Sequence, residues 1–345
     1  MEHREIRIDG SHRIGPGRTF VIAEVGSNHC QDMGKARESI AAAAACGADA
    51  VKFQSIALDE LYFAPGASTR ALHARIDLAE SWHGELKAAC DGQGLVFFSS
   101  PTYLRAVDIL ASLGVDLYKL ASAQIGVFPQ LVARVAGLGK PTLMSTGLVT
   151  PGGLEAAVAM FRRASNHAYG ILHCNAIYPT PPNRVCLERM DALRALYACP
   201  VGFSDHTSGT AVALAAVARG AEVIEKHFTL DRALDSPDAF FSLEPHELGR
   251  LVADIREVEA ACAPGDVRLE IEPEENAFKR AIRHRLVLRR AKAAGEAFFP
   301  GDFDYKRHDD GVDCVDETLV LTRMRAKQVI EAGELLAWDM LEGRL

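Results

Sequence analysis

From residue 20 onward the chain passes eight times from a short apolar, β-branched run into a longer stretch of helical spacing. That alternation constrains the fold more than any other feature. Parallel strands need long crossovers, and strands alternating with helices bury a parallel sheet beneath a helical layer. The pattern predicts strands at 20–26, 49–54, 95–100, 117–122, 141–147, 169–174, 200–206 and 222–229. Helical spacing occupies 33–46, 81–93, 104–113, 128–138, 151–163, 187–197 and 209–219, with a last helix at 246–263. Eight such units predict a (β/α)₈ TIM barrel over residues 1–265. An open doubly wound sheet would want a glycine-rich phosphate turn after the first strand. Here Val25-Gly26-Ser27-Asn28-His29 offers one glycine.

Past residue 263 the texture changes. Residues 266–280 read as an acidic, proline-containing linker, and 281–345 as a small, mostly β domain. β-like pieces stand at 286–288 and 320–321, broken by Gly295, Gly301, Gly311 and Gly333. A chain of 345 residues, 48% hydrophobic, suits one barrel and such an appendage. A net charge of −8 gives no general basic field for nucleic acid or an anionic membrane. An anionic substrate would therefore have to meet positive charge concentrated in one place. The charged stretch Met1 to Asp9 lacks a signal-peptide core, and no apolar run reaches the ~20 residues of a membrane span. Eight scattered cysteines without a CxxC pair fit reduced thiols in a cytoplasmic protein.

Barrel enzymes carry their chemistry at the C-terminal ends of the strands. Each predicted strand delivers polar residues at that end: Glu24 and Asn28, Lys52 and Gln54, Ser100, Lys119 and Ser122, Ser145 and Thr146, Asn175, Ser204 and His206, and Glu225 and His227. Burying charge without a partner costs several kcal/mol, so eight coincident departures from an apolar pattern predict a polar bowl at one end. Lys52 and Lys119 with the hydroxyls of Ser122, Ser145 and Ser204 compose a phosphate cradle. The plainer reading pairs both lysines with Glu24 and Glu225, and the two are compatible. His206 and His227 end neighbouring strands and could converge on Mn²⁺, Co²⁺, Zn²⁺ or Fe²⁺, or be hydrogen-bonded core histidines. His173 reads as structural.

Seven motifs in order resemble signatures of the sialic acid synthase family. They are 20–29 (Phe20 to His29), 48–54 (Ala48 to Gln54), 118–122 (Tyr118 to Ser122), 144–147 (Met144 to Gly147), 178–181 (Tyr178 to Pro181), 202–207 (Gly202 to Thr207) and 223–229 (Val223 to Thr229). The tail from Lys327, with Gly333-Glu334 and Trp338-Asp339-Met340-Leu341, resembles the end of an antifreeze-like (SAF) domain. The resemblance implies metal-dependent condensation of phosphoenolpyruvate with an N-acylated hexose and water, giving a nonulosonic acid and phosphate.

It also implies roles. His206 and His227 would bind the metal, most often Mn²⁺, with Mg²⁺, Co²⁺ or Zn²⁺ as alternatives. Lys52, Lys119, Ser122, Ser145 and Ser204 would hold phosphoenolpyruvate, with Ser100 and Asn175 as further substrate contacts. Glu24 would stand near the reacting water, and Gln54, Tyr178 and Asp238 on the sugar side. Arg307, from the antifreeze-like domain of the partner subunit in a homodimer, would reach the sugar's acyl group. The proline and glycine that usually follow that arginine are absent. Gln124, counted among the catalytic positions, stands where a carboxylate is usual, and Ala176 where Asn or Ser is usual. Both departures put the sugar and the proton relay in question. Two rivals remain: a Schiff-base aldolase using Lys52 or Lys119, and a catalytically decayed synthase acting as a carbohydrate-binding protein.

Overall fold

Side chains along a strand point alternately to opposite faces, so in a barrel one parity fills the interior and the other meets the helices. The computed structural model describes residues 5–265 and 270–344. It opens with an antiparallel hairpin, β1 (Ile6–Arg7) and β2 (Arg13–Ile14). Eight strands follow: β3 (Phe20–Gly26), β4 (Ala50–Ser55), β5 (Val96–Pro101), β6 (Tyr118–Leu120), β7 (Thr142–Ser145), β8 (Tyr169–Cys174), β9 (Val201–Asp205) and β10 (Val223–His227). They form one sheet in the order β5-β4-β3-β10-β9-β8-β7-β6. Every laddered neighbour is parallel. β5 and β6 abut at the seam, so the sheet curls into a TIM barrel with helices between successive strands.

Parity separates two cores. Phe20, Ile22, Ala50, Val96, Phe98, Leu117, Leu143, Leu172 and Val223 point inward and pack with Ile6, Ile8 and Ile14 of the N-terminal hairpin. The hairpin is thus the floor of the barrel, absent from the strand-and-helix reading because its strands are two residues each. The opposite parity (Val21, Ala23, Val51, Phe53, Val201, Phe203, Ile224) joins the helices in the larger core. Inside, β9 lies so near β10 that a Cβ on Gly202 would stand 2.4 Å from the Val223 carbonyl oxygen. Only glycine fits there.

Strand ends fall within about two residues of expectation. β6 and β7 stop at Leu120 and Ser145 rather than 122 and 147, because the chain turns there to present its polar groups. Helices Leu58–Leu61 and Ala67–Ile76 stand between β4 and β5, outside the segments read as helical.

The chain divides into units Met1–Pro264 and Gly265–Leu345. In the second, helix Glu275–Ala281 takes up the end of the stretch read as a linker. β11 (His284–Leu288) pairs with β12 (Phe303–Arg307), and β13 (Met324–Ala326) with β14 (Leu341–Gly343), all antiparallel. Leu286, Leu288, Phe298, Phe303, Ile330 and Leu336 belong to its core. The β-like piece at 320–321 is corrected: it lies in helix Glu317–Arg323, whose acidic first turn and basic last turn suit the helix dipole. Residues 1–4 of the N-terminal stretch, 266–269 of the linker and Leu345 of the tail lie outside the described residues. All eight cysteines are free thiols. No helix among the described residues is long and apolar enough to cross a membrane.

Candidate active site

The inward parity that is apolar at the barrel floor becomes polar toward the strand C-termini. β3 runs Phe20, Ile22, Glu24; β4 runs Ala50, Lys52, Gln54; β10 runs Val223, Glu225, His227. β5 and β6 likewise end in Ser100 and Lys119. Register sets Glu24 beside Lys52 on one side and His227 on the other, and Glu225 beside Ser204. The result is a cavity of about 340 Å³. Of the expected residues its wall includes Glu24, Lys52, Gln54, Ser100, Lys119, Ser122, Gln124, Ser145, Tyr178, Ser204, His206 and His227.

Its base is a buried charge cluster centred on Glu225. Lys119 Nζ donates to both carboxylate oxygens at 2.7 Å, Lys52 Nζ to Oε1 at 2.9 Å, and Ser204 Oγ to Oε1 at 2.9 Å. Lys52 also lies 3.4 Å from Glu24 Oε2, while Gln54 Nε2 donates to Glu24 Oε1 at 2.7 Å. Both lysines therefore pair with carboxylates, as the plainer reading expected, and both still face the cavity. Burial opposes the charge of Lys52, but the Glu225 and Glu24 carboxylates outweigh it and hold the ammonium firmly protonated. Burial likewise works against the Glu225 carboxylate, and the Lys119 and Lys52 ammoniums reverse that, leaving it well below the usual range. Burial is decisive at Lys119, brought down to about 8, and at Glu24, pushed up to about 7.

At the rim the rings of His206 and His227 stand 5.3 Å apart, centroid to centroid. His206 Nδ1 lies 2.7 Å from the Asn175 carbonyl oxygen. A carbonyl only accepts, so Nδ1 carries the proton and Nε2 keeps its lone pair. His227 Nδ1 is buried without a hydrogen-bond partner, 3.9 Å from Asp238 Oδ2. Burial pushes both imidazoles down to about 3, so both are neutral at pH 7, the form that binds a metal. Tyr178 stacks on His206 at 4.2 Å and 39°. Gly26, in the left-handed region at φ 53°, leaves room for this corner: a Cβ there would lie 3.0 Å from Asp238 Oδ2 and 3.3 Å from Glu24 Oε1. With His227 Nδ1, five wall atoms are buried without a hydrogen-bond partner, the others being Glu24 Oε2, Ser100 Oγ, Gln124 Oε1 and Ser145 Oγ. Buried polar atoms are rarely left so unless something else satisfies them.

Three expected residues stand elsewhere. Asn175 turns its amide to the Arg184 carbonyl at 3.1 Å and serves the site through its backbone, as the acceptor for His206. Asp238 sits just behind the wall, accepting from Ser27 Oγ at 2.9 Å. Arg307 is the exposed last residue of β12, in the second unit, opposite His284. His173 is structural, bonded to the Val185 carbonyl at 2.6 Å. Glu225 is the residue the site reading underrated; its spacing of two from His227 on one strand was the available signal. Cys174 and Thr102 also line the wall.

The NeuB family model matches residues 39–266, about two thirds of the chain. The chain belongs to the NeuB family. Its relatives there include the N,N'-diacetyllegionaminic acid synthase of Campylobacter jejuni, 34% identical over 334 residues, covering 91% of this chain and 98% of that protein. Among solved structures, the sialic acid synthetase of Leptospira borgpetersenii, in complex with citrate, superposes with a TM-score of 0.73 at 31% identity, over 80% of this chain and 95% of that one. The spore coat polysaccharide biosynthesis protein SpsE of Bacillus subtilis gives 0.68 at 29% identity, over 98% and 99%. These relatives mark the NeuB-family barrel as that of a sialic-acid-type synthase.

Proposed function

We propose that this chain condenses phosphoenolpyruvate with an N-acylated hexose, of the N-acetylmannosamine type, and water to give a nonulosonic acid and inorganic phosphate. One observation carries the reading: two neutral imidazoles and two buried ammoniums share a cavity with unsatisfied hydroxyls. The donor chemistry of the two histidines suits a divalent cation, because the Asn175 carbonyl takes His206 Nδ1 and leaves Nε2 its lone pair, and His227 Nδ1 is buried without a hydrogen-bond partner. His206 and His227 would hold it, Mn²⁺ by resemblance. When bound, such a cation supplies Lewis acidity toward the sugar's aldehyde oxygen.

The chain's own groups then have distinct tasks. Lys52 and Lys119 offset the phosphate charge, and the hydroxyls of Ser100, Ser122 and Ser145 donate to its oxygens. Ser204 donates to Glu225, so it helps hold the carboxylate that aligns both lysines. C3 of phosphoenolpyruvate bonds to the aldehyde carbon, water adds at C2, and the C2–O bond to phosphate breaks. Glu24, poised near neutrality, accepts the proton that the adding water releases. Gln124 can hydrogen-bond a sugar hydroxyl but cannot take its proton. Gln54 and Tyr178 line the sugar's approach, with Asp238 just behind them. The resemblance extends the proposal to a homodimer in the cytoplasm whose antifreeze-like second unit brings Arg307 to the partner's sugar.

Phosphate release from phosphoenolpyruvate tests this, with Mn²⁺ and either N-acetylmannosamine or a 2,4-diacetamido-trideoxyhexose. Release should need both substrates and fall at least about a hundredfold in His227→Ala. Unchanged release in that variant would remove the cation from the reading. The lowered Lys119 is the one observation that favours a Schiff-base aldolase. Borohydride with pyruvate would trap that imine, whereas the proposed condensation leaves no adduct.

A further inference from the structure

The outward parity of β9 and β10 is apolar except at one place. Val201 and Phe203 precede Asp205 on β9, and Ile224 on β10 and Phe228 just past its end flank Lys226, with the four apolar residues all in the core beneath the helices. Asp205 and Lys226 oppose each other in register and join at 2.8 Å, their side chains 0% and 1% exposed. Neither lines the cavity. Lys226 Nζ also donates to the Thr207 carbonyl at 2.5 Å, and Asp205 Oδ1 accepts from Thr207 N–H at 2.7 Å.

The chain order gives these bonds their meaning. Asp205 and Thr207 are the residues on either side of His206, and Lys226 immediately precedes His227. One ammonium on the strand of the second histidine therefore binds the side-chain carboxylate of the residue before the first and the backbone carbonyl of the residue after it. Other ties on His206, its Nδ1 to Asn175 and its carbonyl oxygen to Thr180 N–H at 2.8 Å, run to the loop after β8. The ion pair links the two histidines' own strands on the outward face, as the Ser204–Glu225 bond links them on the inward face. Stability alone does not call for it: a buried ion pair is often no more stabilising than apolar side chains of the same volume.

We propose that Asp205 and Lys226 are positioning residues that fix the spacing and facing of His206 and His227, and so set the affinity for a divalent cation that neither touches. This rests on the reading of the two histidines as cation ligands. Partners behind a metal's ligands are typically worth 10- to 100-fold in affinity.

The test is Mn²⁺ titration of the full-length protein, followed by the electron paramagnetic resonance of free Mn²⁺, with thermal melts alongside. The double variant Asp205→Asn with Lys226→Met removes both charges and strands neither. Wild type should bind, His227→Ala should not, and the double variant should bind about 10- to 100-fold more weakly while folded at the titration temperature. A pair with a purely structural role would lower the melting temperature and leave the folded protein's affinity alone. A folded double variant binding within about twofold of wild type overturns the proposal. Should it not fold, Asp205→Glu keeps the charges and displaces the carboxylate by one methylene; unchanged affinity there overturns the proposal equally. Equal binding by wild type and His227→Ala would instead remove the histidines as ligands, a separate failure.

Discussion

Replacing Glu225 by Gln removes one negative charge from a site where it meets two ammoniums and a hydroxyl. Its contacts at 2.7 to 2.9 Å lie in a cluster whose side chains are at most 4% exposed. The amide oxygen can still accept one bond, but its NH₂ must face a lysine. Glu24, 3.4 Å from Lys52, is left as the nearest carboxylate. Stranding a buried charge in this way costs about 3–5 kcal/mol. For a unit the size of this barrel that lowers the melting temperature by roughly 10 °C. Differential scanning calorimetry with and without phosphoenolpyruvate provides the assay. The variant should melt well below wild type and regain more than wild type does on adding the ligand, whose phosphate supplies the missing negative charge. Melting within about 2 °C of wild type, or equal gains from the ligand, would refute the reasoning that one carboxylate holds both lysines.

Two further outcomes follow from the barrel. Burial pushes His29 down to about 4 and the site histidines to about 3, so the unfolded chain binds more protons than the folded one below the ordinary imidazole range. The contribution of these histidines is full above pH ~6.5 and falls as pH drops toward 4, by up to about 1.4 kcal/mol per unit for each. Urea melts at pH 4.5 and 7 should show a smaller acid loss in His29→Gln, and an equal loss would refute it. Gly202→Ala forces a Cβ against the Val223 carbonyl and should cost about 1–3 kcal/mol or more in the same melts. An unchanged midpoint would mean that β9 and β10 separate freely.

Much of this architecture was legible in the chain because apolar period and glycine placement act locally. β3 and β8 span the residues the pattern predicts, and the polar strand ends converge as a barrel requires. What escaped depends on register or on very short elements. The floor hairpin has two-residue strands, too few for periodicity to show. That Glu225 alone, of the two carboxylates expected to pair with the lysines, takes both follows from which side chains meet across the barrel interior, and Asp205 opposite Lys226 from which residues adjacent strands set side by side. Nothing in one strand's sequence reveals that. Asn175 shows the limit differently: its carbonyl oxygen accepts from His206, a backbone role that no residue type announces.

The floor and the bowl are written on the same face of the same strands, a few residues apart. Deleting a single residue between the two in a barrel strand would therefore put one out of phase with the other, turning either the greasy floor side chains or the polar bowl residues toward the helical layer. Length variation is confined to the connecting segments. The stretch between β4 and β5, with its two extra helices, is where a chain of this design can gain or lose residues without disturbing either layer.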